Sequence, residues 1–588
     1  MGTIEWLRAR SAAEELQRAQ FFATKTYPFE LMASWQAELG DAGGVFSAME
    51  RSRARVLVEQ MELAGQDLLA GLPEEEAGRL RQKEAEVLSR ISSLRRQLEV
   101  LAGRQDLTEA QKREEARRLE GELRRAQQEY VVVRGEVRAA SPVYRLALQK
   151  ERKPVGLDKV RSWAEGQKAL VLEYLVGWKE SYVLVIPAGG SVRVEKLTVS
   201  EEQAKLLEVA AGALKEEVLE GILRGPREAA QEETAPGERV RKRAGLWEEL
   251  SKADRPEASG KLAPKLRALW ELLVPEGERR GLLEGRYERL VVVPDRALAL
   301  LPFEVLVVSR GEPVRYLVDR GPPVLYAPSC TVLLQLEGRQ AEGAGQAKEP
   351  VLLVGHCRYG VPSEGAGEDV LGQLAARSVY ARLGGQLQEL PSTAWELDWL
   401  KEVYQRGGQE VAWLREEWAT ERNVRRNVAG RRVVHFATHG LVDQRLGNLF
   451  GALALTPGRA AEDPRDDGYL TLGEILGLPL GGCELVVLSA CGTNVGPEQR
   501  GEGVHGLARG FLVAGARRVA ASNWQVADEA TANLMTIFAT YVAEEQKAGR
   551  PVDYAAALHK AKRWMRQHGR PDWREPFYWA PFILIGTP

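Results

Sequence analysis

A chain of 588 residues is long enough for three or four domains at roughly 100–200 residues each. Its 81 basic and 83 acidic side chains leave a net charge of −2, which excludes strong polyelectrolyte attraction to nucleic acid or an anionic membrane. Apolar content of 44% and charged content of 28% are those of a soluble globular protein, and four cysteines are too few for a disulfide framework.

The N-terminus, Met1-Gly2-Thr3-Ile4-Glu5-Trp6, lacks the basic start and apolar core of a signal peptide. No apolar run approaches the ~18 residues needed to span a bilayer. A cytoplasmic setting is expected, with no membrane and no direct nucleic-acid partner. Cys330, Cys357, Cys483 and Cys491 show no paired metal-ligand spacing, and no HExxH or CxxC occurs, so neither metal nor cofactor is expected.

Residues 3 to about 72 read as helices, with breaks at Thr26-Tyr27-Pro28 and Gly40-Asp41-Ala42-Gly43-Gly44. Val45 to Leu57 has the small-and-aromatic look of a helical repeat unit. No second copy is found, and such repeats need about three to bury their faces, so 1–72 is a helical region with a capping remnant at most. Residues 73–154 form a predicted helical hairpin or coiled coil. Val87, Ile91, Leu94, Leu98 and Leu101 are spaced 4, 3, 4 and 3 apart, and Ala116, Leu119, Leu123, Ala126 and Tyr130 return with the spacing 3, 4, 3 and 4. Thr108 and Gln111 make a capping box for the second helix. The Arg- and Glu-rich outer faces are most simply a solvated surface.

Beyond Pro142 the period changes. Ala169–Tyr174 and Ser181–Ile186, separated by Gly177-Trp178-Lys179, predict a hairpin, with a third strand at Val192–Val194. Helices from about Ser200 to Val274 are interrupted by a loop at Gly225–Gly237, and Arg289–Asp295 is a buried strand leading to Leu300-Leu301-Pro302-Phe303-Glu304. Residues 155–336 thus form one α/β unit. A Gly- and Gln-rich linker, Glu337–Glu349, precedes a second unit over 350–588. Its predicted elements are a strand at Val351–Gly355, a helix at Thr393–Gln405, a strand at Glu410–Leu414, a helix at Thr420–Ala429, and strands ending at His439 and Cys491. After these come a helix from about Gly503 to Ala514, a strand at Arg518–Ser522, helices at Asp528–Glu545 and Val552–His568, and a last strand, Phe582–Gly586. Strands alternating with helices predict a mostly parallel sheet with helices on both faces.

Two strands of the second unit end in reactive side chains. Val433-Val434-His435-Phe436-Ala437-Thr438-His439-Gly440 and Glu484-Leu485-Val486-Val487-Leu488-Ser489-Ala490-Cys491-Gly492 are apolar runs of the kind buried on both faces of parallel sheets. Sites in such sheets lie at the strands' carboxyl ends, so His439 and Cys491 should emerge at one edge. Their separation, 491 − 439 = 52 residues, and the order histidine then cysteine match a nucleophile and base pair of the caspase kind. Against this, buried cysteines are usually small core hydrophobes and most histidines are structural. The glycine beside each residue, where backbone can approach a substrate closely, favours the chemical reading. His435 can pack beneath the site or orient His439, and His505 reads as structural. His356 and Cys357 end another strand, but adjacent strand residues point to opposite faces.

His435-Phe436-Ala437-Thr438-His439-Gly440, Leu488-Ser489-Ala490-Cys491-Gly492-Thr493, Asn523-Trp524-Gln525-Val526-Ala527-Asp528 and Tyr578-Trp579-Ala580-Pro581-Phe582-Ile583-Leu584-Ile585-Gly586 resemble the successive motifs of CHAT domains. These are caspase-like cysteine peptidases of the clan that includes separase (clan CD), often found behind tetratricopeptide repeats. Val293-Pro294-Asp295 with Leu301-Pro302-Phe303-Glu304 resembles the family's earlier strand motif, so the likeness spans roughly residues 165–588. It implies an α/β caspase-like fold, with 155–336 an inactive half packed on an active half at 350–588, the alternative for 155–336 being an unrelated substrate-binding domain. It implies a dyad of Cys491 as nucleophile and His439 as general base, with the backbone amides of Gly440 and Cys491 as oxyanion donors. A helix N-terminus following Cys491 would favour its thiolate. Asp528 matches the acidic residue that lines the pocket for the residue before the scissile bond in separase-like members. There it would favour Arg or Lys, unless it simply caps its helix. The chain departs from the family after the histidine loop, where Gly447-Asn448-Leu449-Phe450-Gly451 stands in a region that shapes the cleft.

The function expected is therefore cleavage of protein substrates by a cysteine endopeptidase, regulated by a protein partner bound through the N-terminal helices, as in defence systems. The rival expectation is a catalytically silent caspase-like scaffold for protein interaction.

Overall fold

The computed structural model describes residues 26–53, 55–104, 106–149, 153–225, 244–343, 349–359, 387, 389–458, 463, 465–499, 503–526 and 528–588. The first stretch of predicted helix, before residue 26, and most of the predicted 225–237 loop lie outside them. The chain forms two compact units, neither continuous in sequence. One contains 55–152 and 339–521, and the other contains 26–54, 153–338 and 522–588.

In the first unit the strands lie in the order Arg518–Ser522, Leu485–Ser489, Arg431–Ala437, Glu349–Cys357, Val411–Glu416, all parallel to their neighbours. Val433, Val434 and Phe436, and Leu485 to Leu488, are buried, as unbroken apolar runs require. Parallel pairing forces crossovers, which are supplied by helices such as Pro391–Arg406, with Leu397 and Leu400 on its buried face, and Glu421–Asn427, capped by the Thr420 side chain. A small antiparallel sheet, Gly440–Leu441, Ala452–Ala454 and Tyr469–Thr471, comes after the histidine strand.

The predicted hairpin is present as helices Glu74–Gly103 and Glu109–Ala140, with the capping box formed between Thr108 and Gln111. Its seam is buried, but not only against itself. Leu449 and Phe450 join the cluster of Val87, Ile91, Leu94, Leu119, Leu123 and Tyr130, with the Phe450 and Tyr130 ring centroids 5.9 Å apart. Beside them Arg95 Nη1 and Ser92 Oγ donate to Asp467 Oδ2, at 2.7 and 3.0 Å, away from solvent. The stretch Gly447–Gly451, expected to shape the substrate cleft, therefore commits its two large side chains to the hairpin.

In the second unit Gly212–Ala213, Arg193–Val199, Ser181–Pro187 and Ala169–Val176 pair antiparallel. Ala169–Val176 then continues in parallel to Arg289–Val293, Val324–Tyr326 and Phe582–Gly586.

Two local expectations fail. The helix read over 503–514 begins only at Leu507, because Gly503, at φ +79°, and Val504 pair back on Glu498–Gln499. The linker read at Glu337–Glu349 is entered by the helix Cys330–Gly343, which its glycines do not stop.

Replacing Phe450 by Ala is expected to destabilise the first unit by about 3–5 kcal/mol in denaturant unfolding, the usual cost of deleting a buried Phe side chain. Val132→Ala, at a position 57% exposed, should cost less than about 0.5 kcal/mol.

Candidate functional site

The register of the two reactive strands sets the site. Leu488 lies opposite Phe436 and Ser489 opposite Ala437, so both chains leave the sheet at the same edge. The Thr438 N–H donates to the Ser489 carbonyl at 3.2 Å, carrying the pairing one residue further. His439 and Cys491 each come two residues after the last residue of their strands. A Cβ on Gly440 would sit 2.3 Å from the Cys491 carbonyl oxygen, so only glycine lets these two loops approach so closely.

The backbone beyond Cys491 departs from the expected helix. Residues 491–494 form a turn, closed by Val495 N–H donating to the Gly492 carbonyl at 2.9 Å, with Gly492 at φ +58°. The short hairpin through Gly503 intervenes before the helix Leu507–Ala514, so no helix N-terminus directly succeeds the cysteine.

The cysteines divide by environment. Cys330, Cys357 and Cys483 are buried, whereas Cys491 is partly exposed. Burial pushes the Cys357 thiol up to about 11 and the Cys483 thiol to about 12. Burial, with two carboxylates nearby, holds Cys330 well above the ordinary thiol range.

The histidines divide too. His439 packs against Tyr359, ring centroids 5.0 Å apart and planes at 55°. His435 is buried, with Nε2 2.7 Å from Glu396 Oε1, so its ring is committed to the helix behind the sheet. His356, at φ +49° where the strand register shifts between Gly355 and Cys357, has its Nδ1 3.2 Å from Arg415 Nη2, while Cys357 beside it is buried. His505 adjoins the cysteine loop, its N–H donating to the Pro497 carbonyl at 3.1 Å and its carbonyl accepting from Asn448 Nδ2 at 2.8 Å. Its Nε2 is shut off from solvent without a partner, and burial together with Arg509 drives the imidazole well below its ordinary value. Tyr359 and Glu396 carry no motif in the sequence, and Asn448 stood out only as part of the Gly447–Gly451 departure.

Asp528 begins the helix Asp528–Lys547 in the other unit, and its side chain lies outside the described residues. Among the described residues, Glu50, Glu173 and Cys330 bring potential metal-ligand atoms within 4.8 Å of one another. Protein groups already claim them. Glu50 accepts from the Cys330 and Thr331 amides, each at 2.8 Å, capping a helix, and Glu173 pairs with Arg53 at 3.3 Å. Burial and the neighbouring Glu50 push the Glu173 carboxyl well above the carboxylate range. No helix of the described residues is long and apolar enough to cross a membrane.

A strand-end histidine and a strand-end cysteine are thus brought to one edge of a mostly parallel α/β sheet, their loops meeting through a glycine contact. Residues 263–587, more than half of the chain, match the CHAT domain model, and the chain belongs to that family. Among solved structures, it is similar to the separase–securin complex of Saccharomyces cerevisiae, with 12% identity, coverage of 51% of this chain and 15% of that one, and a TM-score of 0.31. It is also similar to the Arg-specific cysteine proteinase gingipain R, with 10% identity, coverage of 57% and 68%, and a TM-score of 0.35. The complex of Porphyromonas gingivalis RgpB pro- and mature domains gives 11%, coverage of 57% and 69%, and 0.33. The chain thus spans only a small part of separase. Comparison with curated proteins gives no match.

Because the enclosed His505 imidazole resists protonation, the unfolded chain takes up a proton below about pH 6.5 that the folded chain does not, and stability falls as the pH drops. His505→Leu should remove about 1.4 kcal/mol per pH unit of that slope below pH 6, measured by denaturant unfolding between pH 7 and 5.

Proposed function

We propose that this protein is a cysteine endopeptidase acting through a dyad of Cys491 and His439. The observation that carries the reading is the meeting of the two residues' loops at one edge of the sheet, with Gly440 packed on the Cys491 carbonyl. In this mechanism His439 takes the thiol proton and the Cys491 thiolate attacks the scissile carbonyl carbon, forming a C–S bond. The oxyanion of the tetrahedral intermediate is met by the backbone N–H groups of Gly440 and Cys491. Collapse breaks the C–N bond as the imidazolium returns its proton to the leaving amine, and water hydrolyses the thioester. With no helix directly behind the cysteine, thiolate formation depends on the imidazole. Asp528 is the proposed pocket carboxylate, giving preference for Arg or Lys before the cleaved bond. A protein partner bound on the N-terminal helices is the proposed regulator. Its route to the site is the hairpin's contact with Leu449, Phe450 and Asp467, in the segments that connect the strands of the small sheet holding Gly440.

The deciding experiment is digestion of a complex peptide mixture by the wild type and by Cys491→Ala, with all new termini sequenced by mass spectrometry. Cleavage only in the wild type supports the reading. No cleavage, with Cys491 alkylated no faster than Cys483, replaces it with the scaffold.

Cys491→Ala and His439→Ala should each lower cleavage by ~10³-fold or more with unchanged melting, as for other nucleophile and base pairs. Asp528→Ala should lower kcat/KM about tenfold or more for substrates with Arg or Lys before the bond, and little for neutral ones, in peptide assays.

A further inference from the structure

We propose that Tyr359 is a positioning residue for His439, holding the imidazole with its ring and the adjoining Thr438 with its hydroxyl; this rests on the dyad reading above. Tyr359 comes two residues after the strand Glu349–Cys357, the other neighbour of the histidine strand, with Gly355 opposite Ala437. It therefore emerges at the same edge as His439. Its ring packs on the small sheet's core of Leu441, Ala452, Ala454 and Tyr469, which fixes the face it turns to His439. The centroids lie 5.0 Å apart, close enough for the electron-rich ring to favour the imidazolium.

The hydroxyl completes the clamp. The Thr438 hydroxyl donates to the Ala454 carbonyl in a short bond, which leaves Thr438 Oγ1 to accept from the Tyr359 hydroxyl at 2.7 Å. On the other side, the His439 carbonyl accepts from the Ala454 N–H at 3.0 Å. The Thr438 side chain before His439 and the His439 carbonyl are thus both tied down, while the imidazole ring is packed on one face. Burial holds the phenol well above its ordinary value, so the hydroxyl keeps its proton and remains a donor to Thr438.

Two variants separate the parts. Tyr359→Phe keeps the ring and removes the hydroxyl; Tyr359→Met fills the space without an aromatic face. The readout is the rate of Cys491 alkylation by iodoacetamide against pH on the full chain, beside thermal melting and a His439→Ala control. Tyr359→Phe should slow alkylation at pH 7 about threefold with the midpoint unmoved, since orientation alone is loosened. Tyr359→Met should slow it about tenfold and move the midpoint of thiolate formation up by about half a unit, as the stabilised imidazolium is lost. A folded Tyr359→Met variant with the wild-type profile overturns the proposal. If that variant does not fold, Tyr359→Phe decides, and an unchanged rate there overturns the hydroxyl clamp. Failure of the dyad reading looks different: wild-type Cys491 would then react no faster than Cys483 and would not respond to His439→Ala.

Discussion

The interaction on which the site depends is the contact of Gly440 with the Cys491 carbonyl. Two parallel strands deliver their ends side by side, but ordinary side chains would hold the loops beyond them apart. A Cβ at position 440 would come within 2.3 Å of a backbone oxygen that cannot swing aside, so the contact exists only with glycine. Every other feature of the edge is arranged around that approach. The Thr438–Ser489 hydrogen bond continues the ladder toward it, and the small sheet holds Gly440 opposite Leu453.

The same small sheet gives the helical hairpin a physical connection to the edge. Arg95 and Asp467 form an ion pair with both side chains about 95% or more buried, so removing either partner would leave an uncompensated charge. Arg95 also lies over the Tyr469 ring, at 5.6 Å, and Tyr469 belongs to the core on which Tyr359 packs. Contacts thus run from Arg95 to Tyr469, from the cluster of Leu441, Ala452, Ala454 and Tyr469 to Tyr359, and from Tyr359 to His439. Such a set transmits a change only where its members have two arrangements, and the well-satisfied hydrogen bonds around Thr438 describe one of them.

The parallel strands were legible because an unbroken apolar run such as Leu485–Leu488 can be satisfied only where both faces are covered. The hairpin seam was legible from its alternating steps of three and four, and its turn from the Thr108–Gln111 box. Where expectation failed, glycines were the cause. The stretch from Gly503 was read as the start of a helix, whereas Gly503, at φ +79°, and Val504 form a short strand. The glycines near 338–343 were read as a linker yet are accommodated in a helix.

By itself, the sequence determined which residues are chemically notable at strand ends, His439 and Cys491, and that a glycine follows each, because those facts come from local pattern and residue type. It could not name Tyr359 or Glu396, nor say what Asn448 binds. Glu396 and Asn448 meet partners 39 and 57 residues away, and the Thr438 hydroxyl that Tyr359 reaches is 79 residues away. Nor could it tell that Leu449 and Phe450 belong to the hairpin's core. Those assignments depend on register and packing between distant segments, and only the tertiary structure, which sets strand order and the partner of each buried polar group, decided them.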